Sequence, residues 1–222
     1  MLRLMTLCFG IAFWIGPAMA ETIDFETSGA AGTPPKDFSV ALTGQGPNPT
    51  WQLQETTGAP SGRFAVAQTS KIPTDNRFPL LVYDKVSAAD LDISVKFKPV
   101  SGTIDQAAGL VWRYIDKNNY YIVRANALEN NVVLYIVRNG QRIDLPVKGR
   151  GRTYGATVPA ISKAAWSTLA VSVRGKIFSV SFNGRPLYDV EDATFTKAGK
   201  AGLWTKADSV MLFDDLTIEN AR

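Results

Sequence analysis

The sequence predicts an all-β chain, two antiparallel sheets stacked as a β-sandwich of jelly-roll type. Three observations carry this. Apolar residues recur with a period of two along the clearest runs, and no segment sustains a helical period. Two Asn-Gly pairs, Asn139-Gly140 and Asn183-Gly184, sit between β-rich runs, as a tight hairpin turn with positive φ at both central residues requires. Turn signals recur at the spacing of a sandwich or barrel, giving about eleven to thirteen short strands.

The elements follow in order. Residues 1–20 read as a removable signal peptide. Arg3 gives a basic start, residues 4–15 are almost wholly apolar, Pro17 breaks the run, and Ala18-Met19-Ala20 offers small residues for cleavage before Glu21. Residues 21–222 are then one domain, with no later stretch able to cross a membrane, and the expected location is periplasmic or secreted. Residues 22–26 open the domain as a strand. Residues 29–63, rich in Gly, Pro and Thr, are expected to wind around one edge. In residues 91–98, Leu-Asp-Ile-Ser-Val-Lys-Phe-Lys, apolar and polar side chains alternate strictly, so one face meets a core and the other water. Residues 108–114 and 120–126 form a hairpin through 115–119. Residues 132–138 pair back through Asn139-Gly140 onto 141–145. Residues 146–163 are loop-rich. Leu169, Val171 and Val173 alternate, as do Phe178, Val180 and Phe182, across a tight turn at Gly175-Lys176.

Composition excludes several chemistries. There is no histidine, so neither a Ser-His-Asp nor a Cys-His nucleophile can be built. The one cysteine, Cys8, lies in the leader, which leaves no disulfide and no thiolate zinc site. Loss of Arg3 with the leader takes 24 basic residues to 23 against 20 acidic ones, too small an excess to suggest nucleic acid as a partner. Any metal would be a hard, oxygen-preferring ion.

Certain residues carry a resemblance. Residues 108–114 (Ala-Gly-Leu-Val-Trp-Arg-Tyr), 118–126 (Asn-Asn-Tyr-Tyr-Ile-Val-Arg-Ala-Asn), Phe182-Asn183-Gly184, 199–205 (Gly-Lys-Ala-Gly-Leu-Trp-Thr) and Phe213-Asp214-Asp215 resemble secreted bacterial domains of the concanavalin A-like lectin/glucanase superfamily. Within it, the chain is most similar to the laminin-G-like and 3-keto-disaccharide hydrolase type of jelly roll, from about residue 22 to 219. The resemblance implies two curved sheets with a concave face on which sugars lie. That superfamily holds lectins, glycosidases and adhesion modules, so fold does not choose among them. Carbohydrate recognition of a glycan or oligosaccharide is the leading expectation. A glycoside-acting hydrolase and an envelope protein-binding or structural module are the alternatives. No glutamate has an aspartate two positions on, so the Glu-x-Asp-x-x-Glu site of glycoside hydrolase family 16 is absent. The cluster Asp189-Val190-Glu191-Asp192 has the wrong spacing and reads as a solvated loop.

The candidate glycan-binding residues are Trp112, Arg113, Tyr120, Arg124, Asn126 and Trp204. Planar donors and an amide beside aromatic rings suit sugar hydroxyls or a uronate carboxylate. Arg124 and Asn126 share a strand face. Arg113 joins them if the hairpin pairs it with Tyr120, and a register shift of one removes it. Trp166 is expected to pack, while Trp204 could rim a cleft. The candidate metal ligands are Asp24, Glu26, Asp214 and Asp215. If the first and last strands pair, these carboxylates crowd together, and a structural Ca²⁺ would relieve the repulsion. The basic loop at 148–154, Lys-Gly-Arg-Gly-Arg-Thr-Tyr, reads as solvated, with an acidic polysaccharide or lipid headgroups as its other use.

Overall fold

A computed structural model describes residues 20–151 and 154–221. The leader with Cys8, and Arg152 and Thr153 of the basic loop, lie outside the described residues. Sixteen strands follow one another: β1 (Glu21–Ile23), β2 (Phe38–Gly44), β3 (Trp51–Glu55), β4 (Phe64–Gln68), β5 (Arg77–Ala88), β6 (Leu91–Ser101), β7 (Ala107–Asp116) and β8 (Asn119–Asn126). The second half holds β9 (Asn131–Arg138), β10 (Gln141–Asp144), β11 (Ala156–Thr157), β12 (Ser167–Arg174), β13 (Ile177–Phe182), β14 (Arg185–Glu191), β15 (Gly199–Thr205) and β16 (Val210–Asn220). The first sheet runs β14-β13-β12-β6-β16-β4-β3, with β1 on β16. The second runs β10-β9-β8-β7-β15-β5-β2, with β11 on β9. The segment expected to wind around one edge instead supplies two edge strands, β2 and β3, one to each sheet.

Local chemistry accounts for the turns. Asn139 and Gly140 have φ of 52° and 77°, and Asn183 and Gly184 have 48° and 74°, so both Asn-Gly pairs make the expected hairpin turns. Gly175, at φ 55°, opens the two-residue turn joining β12 to β13. The strict alternation of β6 is borne out: Leu91, Ile93, Val95 and Phe97 are buried, while Asp92, Ser94, Lys96 and Lys98 face outward. The buried set meets Leu110, Trp112, Tyr121, Val123 and Leu203 of the second sheet in the main core.

The second sheet departs from simple alternation. β7, β8 and β9 are buried on both faces over most of their length. Their outward side chains form a second core of Phe78, Leu80, Val111, Tyr120, Ile122, Val133, Tyr135 and Trp204. Curling makes this feasible. β10 and β5 are five strand steps apart, about 24 Å in a flat sheet. Yet the Arg142 guanidinium of β10 lies 4.9 Å from the Phe78 ring of β5. Thr43 of β2 likewise reaches the Tyr120 hydroxyl of β8, 2.8 Å away. The sheet bends until each edge strand reaches side chains of the far half, and its hollow is filled by its own side chains.

Candidate functional site

The six expected glycan-binding residues separate into four places. Trp112 points between the sheets, stacked on Tyr121 at 5.6 Å and edge-on to Phe178 at 5.3 Å. It is a core residue. Arg113 also leaves the set. Trp112 pairs with Tyr121 and Asp116 with Asn119, so an irregularity falls between them, and Arg113 takes φ 46° there. This turns its guanidinium into the end of the sandwich. It donates to the carbonyls of Ala89 (2.7 Å), Phe195 (2.7 Å) and Gly175 (2.6 Å) and to Asp90 Oδ1 (3.1 Å). At 1% exposure it bolts three connecting segments together. Tyr120 and Trp204 fill the curl. Trp204 stacks on Phe78 at 5.4 Å and has no exposed surface, so the expected cleft rim is instead a packed interior.

Arg124 and Asn126 do share a face, at one end of the filled curl. Arg124 Nη2 donates to Glu129 Oε2 (2.9 Å) and to the hydroxyls of Tyr135 and Tyr154 (both 3.2 Å), and its Nη1 donates to Asn131. The two tyrosine hydroxyls also share a hydrogen bond. Burial disfavours the guanidinium's charge, but Tyr135, Glu129 and Tyr154 outweigh it and hold its pKa above the usual value. Glu129 is pulled below its usual range: burial acts to raise it, and Arg124 and Asn131 prevail. Tyr154 remains 52% exposed, its ring at the surface of this network.

Asn126 extends the network inward. Its Nδ2 donates to Asp105 Oδ1 (2.6 Å), and Lys206 Nζ lies 2.8 Å from Asp105 Oδ2 while also pairing with Asp75. Burial holds the Asp105 carboxyl above its usual pKa against the pull of Lys206 and Arg124. Asp208 positions Asp105 by accepting from the backbone N–H of Thr103 (2.7 Å) and of Asp105 (3.0 Å). Arg142 completes this edge. Its Cζ is 4.5 Å from the Tyr135 ring centroid and 5.9 Å from that of Trp204. Asp75, Asp105, Glu129, Tyr135, Arg142 and Lys206 were not singled out as site residues by sequence reasoning, and Tyr154 entered it only as the end of the basic loop. They come from separate strands and loops, and no local spacing marks them.

The expected metal ligands do not assemble. β1 and β16 pair, with Thr22 opposite Thr217, so the ends of the domain lie side by side. Beyond Ile23, however, Phe25 takes φ 64° and the chain turns off the sheet. Asp24 accepts from the Glu26 N–H (3.1 Å), and Glu26 Oε1 accepts from the N–H groups of Arg63 (2.7 Å) and Phe64 (2.6 Å). Asp214 accepts from the Ser61 N–H (3.0 Å) and hydroxyl, while Asp215 pairs with Lys96 at 2.8 Å. Among the described residues, no group of three or more His, Cys, Asp or Glu is placed to hold a metal ion. The 189–192 cluster is also engaged elsewhere: Glu191 pairs with Lys148 and Lys176, and Asp192 accepts from the Tyr121 hydroxyl.

The outer face of the first sheet carries a concavity of its own. It is a shallow trough lined by Ser94, Ser172, Ser179, Ser181 and Thr217, with Asp92 at its side held by Arg174.

No protein-family model matches the chain, and no curated protein matches it. Solved structures do. The carbohydrate-binding module CBM66 from Bacillus subtilis superposes with a TM-score of 0.61 at 17% identity, over 82% of this chain and 95% of that one. The exoplasmic/lumenal domain of VIP36, in a Ca²⁺/Man3GlcNAc-bound form, gives 0.54 at 12% identity, over 84% of each chain. A xylan β-1,4-xylosidase from Bacillus halodurans gives 0.58 at 12% identity, over 96% of this chain and 41% of the enzyme. The fold is a jelly-roll sandwich. At these identities the likeness shows the architecture alone. No helix among the described residues is long and apolar enough to cross a membrane.

Proposed function

We propose that this protein is an exported carbohydrate-recognition jelly roll whose glycan binds at the end of the curled sheet, on the edge formed by Arg124, Asn131, Tyr135 and Tyr154. The observation that carries this reading is the half-exposed Tyr154 ring fixed beside the buried Arg124. A sugar gains from an apolar ring on which its C–H face can lie and from planar donors and carboxylates held in one geometry, because the ordering cost is met before binding. Glu129 and Asn131 supply acceptors and an amide at the same edge. The carbohydrate-binding and Man3GlcNAc-bound neighbours support a glycan as ligand, and the apolar run of residues 4–15 supports export. Because side chains fill the curl, this reading takes the end of the concave face, in place of its floor, as the binding place.

A glycan array with the wild-type protein and Tyr154→Ala tests this. Retention of a defined set of glycans, weakened at least tenfold in the variant with its melting temperature kept within a few degrees, is the expected outcome. Silence on all glycans would overturn it. Release of reducing ends from an arrayed sugar would move the site to glycoside chemistry, for which Asp105 and Glu129 are the carboxylates at this edge.

A further inference from the structure

Among the described residues, three cations line the edge, and two of them pair directly with carboxylates. Arg124 has Glu129, and Lys206 has Asp75 and Asp105. Arg142 has no carboxylate within 4.0 Å among the described residues; Asp75 lies near enough for the Arg142 charge to help lower its pKa but is paired with Lys206, and Asp144 lies two positions along the same strand face. Its guanidinium is gripped between rings, 4.5 Å from the Tyr135 centroid, 4.9 Å from that of Phe78 and 5.9 Å from that of Trp204. Its Nη1 is buried without a hydrogen-bond partner, while the residue as a whole is half-exposed.

We propose that Arg142 is an anion-recognising residue of this edge, and that the glycan bound there carries carboxylates, as a uronic acid-containing chain does. This rests on the glycan reading given above. A guanidinium is weakly hydrated, and aromatic rings over its face leave its charge in place. Nη1, at the buried edge of the guanidinium plane, has no hydrogen-bond partner, and a carboxylate is the group that matches a guanidinium edge in two parallel bonds. Stacking fixes the plane before the ligand arrives, so little side-chain entropy is lost on binding. Tyr135 links the two halves of the edge, because the Arg124 guanidinium also lies over its ring, at 5.8 Å. A pyranose lying against Tyr154 and Arg124 would extend its chain along Tyr135 toward Arg142. Lysine would not substitute, since a point charge on a flexible stem neither stacks nor forks.

Calorimetric titration of the protein with oligogalacturonate, with the same oligomer carboxyl-reduced, and with polyglutamate tests this directly. The expected result is binding of oligogalacturonate at least tenfold tighter than of its reduced form, weakening as salt is raised from 50 to 500 mM. Arg142→Gln should bring the two oligomers within about twofold of each other, and Arg142→Lys should recover only part of the difference. The wild-type comparison needs no variant, so a folding defect in either substitution leaves the proposal testable. Equal affinity for the two oligomers, or undiminished preference in a folded Arg142→Gln, would overturn this inference and leave the glycan reading standing. Binding of neither oligomer, with silence across an array, would overturn both. Polyglutamate binding as tightly as oligogalacturonate would assign the edge to acidic protein segments and overturn the inference.

Discussion

Arg113 offers the sharpest separation of a structural role from a binding one. Arg113→Met keeps the aliphatic stem beside Phe178 and removes every donor. The native guanidinium makes four donations, to the β5–β6 connection at Ala89 and Asp90, to the β12–β13 turn at Gly175 and to the β14–β15 connection at Phe195. Hydrogen bonds to a charged group contribute about 1.5–3 kcal/mol each, and an acceptor left buried without a partner costs a further 1–3 kcal/mol. Full addition overshoots here, because Gly175 is exposed and Ala89 half-exposed, so water can replace the lost donor at both. The net loss should be about 3 kcal/mol. For a chain of this size that lowers the melting temperature by about 6–12 °C. Urea unfolding followed by tryptophan fluorescence measures the loss, and a glycan titration at 15 °C, well below the melting point, measures binding. A stability loss below 1 kcal/mol would refute the bolt. So would a variant that stays folded and loses glycan affinity tenfold or more.

Other consequences are also measurable. Trp204→Ala empties the centre of the second core and should cost about 3–5 kcal/mol in urea unfolding; a cost under 1 kcal/mol would mean that the curl is not packed as described. Burial pushes the Asp214 carboxyl up to about 6, against the pull of the Ser61 N–H donor. The folded state therefore holds this proton more tightly than the unfolded state does, and the group's contribution to stability falls as pH rises from about 4 to 6, by up to about 3 kcal/mol. Asp214→Asn should remove that slope, and parallel wild-type and variant stability profiles between pH 4 and 6.5 would contradict it. Chelation by EDTA should leave the melting curve within about a degree, because Asp24, Glu26, Asp214 and Asp215 are engaged separately; a drop of several degrees would restore a structural Ca²⁺.

The parts of the fold legible in the sequence were those set by local chemistry. β6 alternates because one face meets the core and the other water, and Asn-Gly pairs make their turns wherever they stand. The curl is different. Residues 120–125, Tyr-Tyr-Ile-Val-Arg-Ala, do not alternate, and that lapse is the trace of a strand buried on both faces. A sandwich whose sheet meets only one core gives no reason to expect it. The position of Arg113 depends on a backbone irregularity that no side chain announces. The one sign lies on a neighbouring strand, at Gly199, where a Cβ would fall 2.6 Å from the Arg113 carbonyl carbon. Arg124 and Asn126 were found because a charged and an amide side chain interrupt an apolar run. Their partners Asp105 and Lys206 were missed, and Tyr154 was read only as part of a basic loop, because chain distance hides a contact that only the curl creates. Arg142 was missed for a related reason: on a four-residue edge strand its polar side chain looks solvated until the opposite edge brings Phe78 over it.

The most direct measurement is chemical-shift mapping of the protein titrated with an array-positive oligosaccharide. The account predicts shifts concentrated at Arg124, Asn131, Tyr135, Arg142 and Tyr154, with Arg113 and the first sheet unmoved. Shifts centred on Ser94, Ser172, Ser181 and Thr217 would place the ligand in the trough of the opposite sheet and contradict it.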